Sequence, residues 1–323
     1  MQMITKNLDD VARELKKIDY SVILTHQYPD GDTVGSAFAL CYALRKIGKH
    51  ANVIINGNLD KKFSYLMDSY QNQDFVYRSV ISVDIAATQL LGDLKDEFVN
   101  KIDICIDHHA VNDIAAKLSY VNPAAAANAE NIFELIKILD VDIDKPIANA
   151  LYTGICTDTG CFKFSNVTSQ TLRYAAELVD LGCDSYEINR IMFDTKSMAR
   201  IRLEKAVLES LTLHADGKIA VINTTLKMET ETGVGDTDMD GIASIPRQIE
   251  GVVIGVTIKE KADCDFKVSI RSLGNYDASK IAVAFGGGGH HAAAGCSVKG
   301  NFDDVKKQII SVAESEIKRA ENL

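Results

Sequence analysis

The first half of the chain alternates short apolar runs with stretches of helical periodicity, the order expected of a parallel sheet with crossover helices. Apolar positions over residues 8–18 recur at helical spacing and lead into Ser21-Val22-Ile23-Leu24, which predicts a strand. A long apolar-rich helix is predicted over 33–47, stopped by Gly48 as its C-terminal cap. Residues 51–55, 80–83 and 102–106 read as further strands, the second ending at Asp84 and the third delivering Asp107. Residues 124–139 predict a helix. Pro146 then stands near the start of another, which runs toward Thr157 and is ended by Asp158.

The pattern changes after about Asn189. Residues 192–213 are charged and amphipathic and predict a connecting helix that runs into a strand. Residues 219–222, 252–258 and 266–270 read as strands of a smaller sheet. A helix is predicted over 278–285 and a final one over 303–320, with a glycine run and two histidines between them. The expected fold class is α/β: a parallel-sheet domain with flanking helices over 1–190, a linker helix over 191–210, and a smaller α/β domain over 211–323.

Composition narrows the picture. A length of 323 residues exceeds one typical domain, and 46% hydrophobic residues suffice for a large core. No segment reaches the roughly 18 unbroken apolar residues of a membrane helix, and no signal-peptide core is expected at the charged N-terminus. The seven cysteines are scattered, without a CxxC pair, so a reducing cytoplasm is the expected compartment. A net charge of −10 argues against nonspecific binding to long duplex DNA. It leaves room for a small phosphorylated substrate, because divalent ions held by carboxylates reverse the local sign.

The chemistry lies at the ends of the predicted strands. His26, Asp30 and Asp32 follow the first of them, and Asp84, then Asp107-His108-His109, follow two others. Asp158 ends a helix. The carboxyl edge of an open α/β sheet is where ligands bind, and His and Asp donors suit a divalent ion such as manganese. Any one of these aspartates alone reads as a turn or helix cap, and a lone histidine as structural. Jointly they point elsewhere: five of seven histidines fall in three loops rich in glycine or aspartate, leaving His50 and His214 as ordinary surface residues. Phosphodiester hydrolysis needs an activated water and charge stabilisation on phosphoryl oxygens, and two ions bridged by a carboxylate supply both.

His26-x-x-Pro29-Asp30-Gly31-Asp32-x-x-Gly35-Ser36, Asp84, Asp107-His108-His109 and Thr157-Asp158-Thr159-Gly160 together resemble the four-motif signature of the DHH phosphoesterase superfamily. Gly287-Gly288-Gly289-His290-x-x-Ala293-Ala294-Gly295 resembles the glycine-rich histidine motif of its DHH-associated C-terminal domain. The motifs span nearly the whole chain in order, and the length is most similar to the nanoRNase/pAp phosphatase group.

The resemblance implies a manganese-dependent phosphoesterase. It would turn short oligoribonucleotides into mononucleotides and convert pAp to AMP. A cyclic di-AMP or pApA phosphodiesterase is the alternative, and a noncatalytic nucleotide sensor a more distant one. It further implies that His26, Asp30 and Asp84 hold one ion, and that Asp32, Asp84, His108 and Asp158 hold the other. Asp107 would orient a ligand histidine, and His109 would face the scissile phosphate. Gly287, Gly288, Gly289, His290 and Arg271 would bind substrate, a guanidinium being suited to phosphate. Short single-stranded RNA or a nucleotide is the expected partner, with no membrane, and the family allows a homodimer. Phe162 and Phe164, beyond the fourth motif, are read as core packing in preference to base stacking.

Overall fold

The computed structural model describes residues 3–5, 7–235, 239 and 241–322. They form two compact units, Met1–Thr195 and Lys196–Leu323. The first is built on six parallel strands: β1 (Met3–Thr5), β2 (Ser21–Leu24), β3 (Ala51–Ile54), β4 (Ser79–Val83), β5 (Ile104–Asp107) and β6 (Leu118–Val121). Their order is β1-β6-β5-β4-β2-β3. The chain leaves β2 toward β3 on one side and leaves β4 toward β5 on the other. The crevice between β2 and β4 is therefore the topological switch point, where such sheets hold ligands.

Both faces of this sheet are covered, as purely parallel sheets require. Ile23, Ile81, Ile104 and Ile106 join one core with the helices Leu8–Lys17, Gly31–Lys46, Asn128–Ile138 and Lys145–Asp158. Val22, Leu24, Val80 and Cys105 point to the other face, against Leu91, Phe98 and Ile114. The two central helices, Gly31–Lys46 and Lys145–Asp158, pack backbone to backbone: any Cβ on Gly35 would strike the Ala150 carbonyl. Strands β1 and β6 went unpredicted, as did the helix Ser169–Asp180. The helix predicted over 124–139 begins only at Asn128, for a reason that belongs to the site.

The second unit holds another six strands: β7 (Thr212–His214), β8 (Ile219–Thr224), β9 (Ile254–Ala262), β10 (Asp265–Ser272), β11 (Gly288–His290) and β12 (Ala293–Lys299). Their order is β11-β12-β10-β9-β8-β7, and only the β8–β9 pairing is parallel. The helices Ala278–Val283 and Phe302–Glu321 cover one face with a core of Val256, Val268, Ile270 and Ile309. The connecting helix predicted from residue 192 is broken at residues 195–197 before it runs into β7. There Ser197 Oγ accepts from the Arg200 N–H and caps a new helix, Met198–Glu209. That helix buries Leu203 and Val207 with Ile222 and Ile242 inside the second unit.

Candidate metal centre

Asp30 sets the first part of the site. Its Oδ1 accepts from the Asp32 and Thr33 N–H groups, both at 3.1 Å, capping the helix Gly31–Lys46. The helix therefore starts before the predicted Thr33, and Asp32 falls in its first turn with a buried side chain. Asp32 accepts from Asn128 N–H at 2.6 Å and from Ala129 N–H at 2.9 Å, the unpaired donors of the next helix's first turn. This is why 124–127 is not helical: those amides turn inward to a carboxylate, and Ala127 is left extended at φ −150°. Gly154 makes room, since a Cβ there would lie 2.8 Å from Asp32 Oδ1. Thr33 Oγ1 donates to the Val83 carbonyl at 3.2 Å, tying this helix to the end of β4.

Asp84 follows β4 with φ +55°, a left-handed conformation that strains a non-glycine residue and is concentrated at functional sites. It is buried, and among the described residues its Oδ1 has no hydrogen-bond partner. Two donor groups meet at this residue. His26 Nε2 lies 3.6 Å from Asp30 Oδ1 and 3.9 Å from Asp84 Oδ2. His108 Nε2 lies 3.4 Å from Asp84 Oδ1, 3.5 Å from Asp158 Oδ2 and 3.7 Å from Asp32 Oδ2. These separations are too long for good hydrogen bonds. Two donors each about 2.1 Å from one ion stand about 3.0–3.4 Å apart, so a cation fits the spacing with small adjustment. His26, Asp30 and Asp84 could hold one ion, and Asp32, His108 and Asp158 another.

The electrostatics agree with that fit. Burial, then the neighbouring charge of Asp158, pushes Asp32 up to about 7. Burial raises Asp158 to about 6 against the opposing pull of His108. Asp84 is raised by burial and by the charges of Asp32 and Asp30. Such carboxylates are unfavourable as anions until a cation joins them. His108 Nδ1 lies 3.2 Å from the Ala125 carbonyl. As a donor to that oxygen it leaves the Nε2 lone pair toward the carboxylates, the tautomer a metal ligand needs.

Asp107 and His109 pair beside Asp84: His109 Nδ1 lies 3.6 Å from Asp84 Oδ1, and Asp84, His108 and His109 make a further group that could hold an ion. His109 Nδ1 is 2.8 Å from Asp107 Oδ1, and Asn112 Nδ2 donates to Asp107 Oδ2 at 2.7 Å. The histidine that Asp107 orients is thus His109; Nδ1 of His108 meets a backbone carbonyl instead. Burial alone would raise Asp107, but the hydrogen bonds from His109 and Asn112 hold it below the usual carboxylate range. The bond to Asp107 in turn raises His109 and favours its imidazolium. His109 is half exposed and Asp107 fully buried.

Three asparagines escaped the sequence reading. Asn112 fixes Asp107, and Asn131 Nδ2 donates to the Asp107 carbonyl at 3.3 Å. Asn166 Nδ2 bridges the carbonyls of Ala126 and Asp158, at 2.9 and 3.1 Å. Short polar residues in loops carry no signal that separates such duty from ordinary turn formation. Of the two phenylalanines beyond the fourth motif, Phe162 packs beside Tyr152 against the core, whereas Phe164 is exposed.

In the second unit half of the glycine run is strand rather than loop. Gly288 and Gly289 lie with His290 in β11, paired to β12. Gly289 has φ +146°, and a Cβ there would lie 2.5 Å from Ala294 Cα. Gly287 packs as tightly against Gly295 and Cys296, while Gly288 faces open space. Close strand packing accounts for two of the three nominated glycines. His290 is exposed, and Arg271 is half-buried near the end of β10.

Comparison with known proteins follows the same division. The sequence profile of the DHH family, N-terminal domain, matches residues 21–155, and that of the DHHA1 domain matches 218–319. The chain is 34% identical over 319 residues to the bifunctional oligoribonuclease and PAP phosphatase NrnA of Thermus thermophilus, covering 96% of this chain and 94% of that one. It is 28% identical over 296 residues to the protein of the same name from Bacillus subtilis, covering 90% and 92%. The crystal structure of an exopolyphosphatase-related protein from Bacteroides fragilis superposes with a TM-score of 0.86 at 25% identity, covering 97% of both chains. Among the described residues, no helix is long and apolar enough to cross a membrane. The chain belongs to the DHH family, joins its N-terminal domain to a DHHA1 domain, and is a phosphoesterase.

Proposed function

We propose that the protein hydrolyses short oligoribonucleotides to mononucleotides, and pAp to AMP, with two divalent ions, manganese being the ion assigned. The observation that carries this reading is the meeting of two donor groups at Asp84, a buried carboxylate with an unpartnered oxygen at the switch point of the sheet. The names of the Thermus and Bacillus relatives supply the substrate classes. Imidazole and carboxylate donors together suit manganese.

In this reading His26, Asp30 and Asp84 hold one ion, and Asp32, Asp84, His108 and Asp158 hold the other. When bound, the ions supply a water nucleophile at neutral pH and neutralise charge on the phosphoryl oxygens. The chain's own residues do the rest. Asn128 and Ala129 amides fix Asp32, and the Ala125 carbonyl fixes His108. His109, whose charged form the bond to Asp107 favours, serves as hydrogen-bond donor to the phosphate or proton donor to the leaving oxygen. Arg271 and His290 hold substrate. Free cysteines throughout are in keeping with a reducing cytoplasm as the site of action.

The test is turnover by the full chain, stripped of metal and reloaded with manganese, on pAp, on linear di- to pentaribonucleotides and on cyclic di-AMP. Cleavage of the linear fragments and pAp is expected. Preferential cleavage of cyclic di-AMP would transfer the assignment to a cyclic-dinucleotide phosphodiesterase. Full activity after exhaustive chelation would remove the metals from it.

A further inference from the structure

Three residues in succession beyond the donor Asp158 have left-handed backbones: Gly160 at φ +56°, Cys161 at φ +56° and Phe162 at φ +62°. That conformation suits glycine and strains the other two. Such strain persists only where the surrounding structure enforces it, and it concentrates at functional sites. Here the turn winds around Thr159, which is fully buried. The Thr159 hydroxyl donates to the Ile155 carbonyl at 2.6 Å and accepts from the Phe162 N–H at 3.1 Å. Its carbonyl accepts from the Lys163 and Phe164 N–H groups, at 2.9 and 3.0 Å, and Cys161 N–H donates to the Cys156 carbonyl at 2.7 Å.

The side chains that leave this turn go separate ways. Phe162 packs beside Tyr152, and the Lys163 ammonium lies over the Phe193 ring, 5.5 Å from its centroid. Phe164 is 54% exposed and, among the described residues, meets no other aromatic ring. Single exposed apolar side chains are ordinary. What sets this one apart is its seat. A Cβ on Gly160 would lie 2.4, 2.5 and 2.7 Å from Phe164 Cζ, Cε1 and Cε2. Distances so nearly equal put the glycine under the face of the ring rather than in its plane. One face therefore rests on Gly160, and the other is turned outward. Both ends of the seat are tied to the metal centre. Gly160 stands two residues from Asp158, at most about 7 Å of chain. Asn166, two residues beyond the ring, donates to the carbonyls of Asp158 and Ala126.

We propose that the outward face of Phe164 stacks a nucleobase of the substrate, on the nucleotide next to the phosphate held at the metal centre. The strained turn holds the ring flat beside a donor carboxylate, so little side-chain freedom is lost when a base lands on it. Stacking of this kind tolerates any base, since each has a π-face, and favours the larger purines. Phe164 thus separates nucleotide esters from phosphodiesters without a base. This inference rests on the proposed hydrolysis of short oligonucleotides.

The experiment compares the full chain, loaded with manganese, with Phe164→Ala, Phe164→Leu and Phe164→Tyr. The substrates are a 5′-phosphorylated diadenylate and two analogues, one lacking the first base and one lacking the second. Phe164→Ala is expected to raise KM for the diadenylate about 10- to 100-fold, the range of one base–aromatic stack. On the analogue that lacks the stacked base, KM should stay within about twofold of the native value; on the other analogue the full loss should remain. Phe164→Tyr should behave as the native chain, and Phe164→Leu, apolar but without a π-face, should behave as Phe164→Ala. Calorimetry on the metal-free proteins should show AMP binding weakened by a similar factor and ribose 5-phosphate binding unchanged. Equal losses on all three substrates, no loss on any, or a leucine as good as tyrosine overturn the proposal. Should Phe164→Ala not fold, Phe164→Leu against Phe164→Tyr carries the same comparison. A native chain that cleaves no linear dinucleotide defeats the proposed hydrolysis instead, and AMP against ribose 5-phosphate then decides the stacking alone.

Discussion

In the first unit, Asp32, Asp84 and Asp158 crowd into a buried crevice at the carboxyl ends of parallel strands, each raised by burial and by its neighbours. In the second, Arg271 and Arg247 sit side by side on an antiparallel face without an acidic partner among the described residues. Both arrangements oppose folding electrostatics, with opposite signs, and each would be relieved by an external ion of the other sign. They are also built differently. The acidic cluster combines a residue that follows a strand, Asp84, with residues at helix ends, Asp32 in a first turn and Asp158 in a last, fixed by helix capping and backbone amides. The basic row hangs on strand register, with Gly255 and Ala293 as spacers. A site for chemistry needs donors held from several directions, whereas a site for binding can be a flat row.

The harshest way to test this contrast is Asp84→Asn, which keeps a side chain tolerant of the left-handed backbone but removes the charge shared by both donor groups. Hydrolysis should fall to background and bound metal, measured by plasma emission, should drop. Undiminished metal content would separate Asp84 from both groups. Asp107→Asn should lower kcat about 100-fold through misplacement and deprotonation of His109. Metal content should stay unchanged, so steady-state kinetics and metal analysis read different residues.

Stripping the metal sharpens the electrostatic half of the comparison. Asp32 and Asp158 have folded pKa values of about 7 and about 6, above the ordinary carboxylate value. Unfolding then releases protons, and the metal-free fold loses stability as pH rises from about 4 through about 7. The Tm of the stripped protein should fall between pH 5 and pH 8. Saturating manganese should restore about 10 °C, with the larger gain at pH 8. A manganese effect independent of pH would count against cation binding by these carboxylates.

Smaller effects separate support from contact. Asn166→Ala loosens the Ala126–Asp158 bridge and should weaken metal affinity about 10-fold without abolishing turnover at excess manganese. His290→Ala should raise KM for dinucleotides, leave metal content and Tm unchanged, and alter kcat least of all. A loss of bound metal in that variant would merge the two regions into one.

Much of the site was legible because its donors come in short contiguous motifs at the ends of apolar runs. A run of Ser21-Val22-Ile23-Leu24 closing on His26, Asp30 and Asp32 needs no tertiary information to suggest a strand edge bearing ligands. The helix boundaries were less legible, because caps decide them. Asp30 starts one helix early, and Asp32 delays another by drawing in the Asn128 and Ala129 amides from 96 and 97 positions away. No local pattern of residues 124–139 contains that contact. β6 and β12 were missed where short or glycine-containing runs gave weak periodicity.

The sequence by itself determined the α/β class, the change of character after about residue 190, and which residues are candidate donors, since these rest on hydrophobic period and on side-chain chemistry. Tertiary structure alone decided which donors meet. It put Asp84 between His26 and His108, gave Asp107 to His109, and enlisted Asn112, Asn131 and Asn166. It also set Arg247 beside Arg271 through a glycine on a third segment. The reason is physical: periodicity is a local property of the chain, while strand register and backbone-amide capture couple positions tens to about a hundred residues apart, and only packing fixes those pairings.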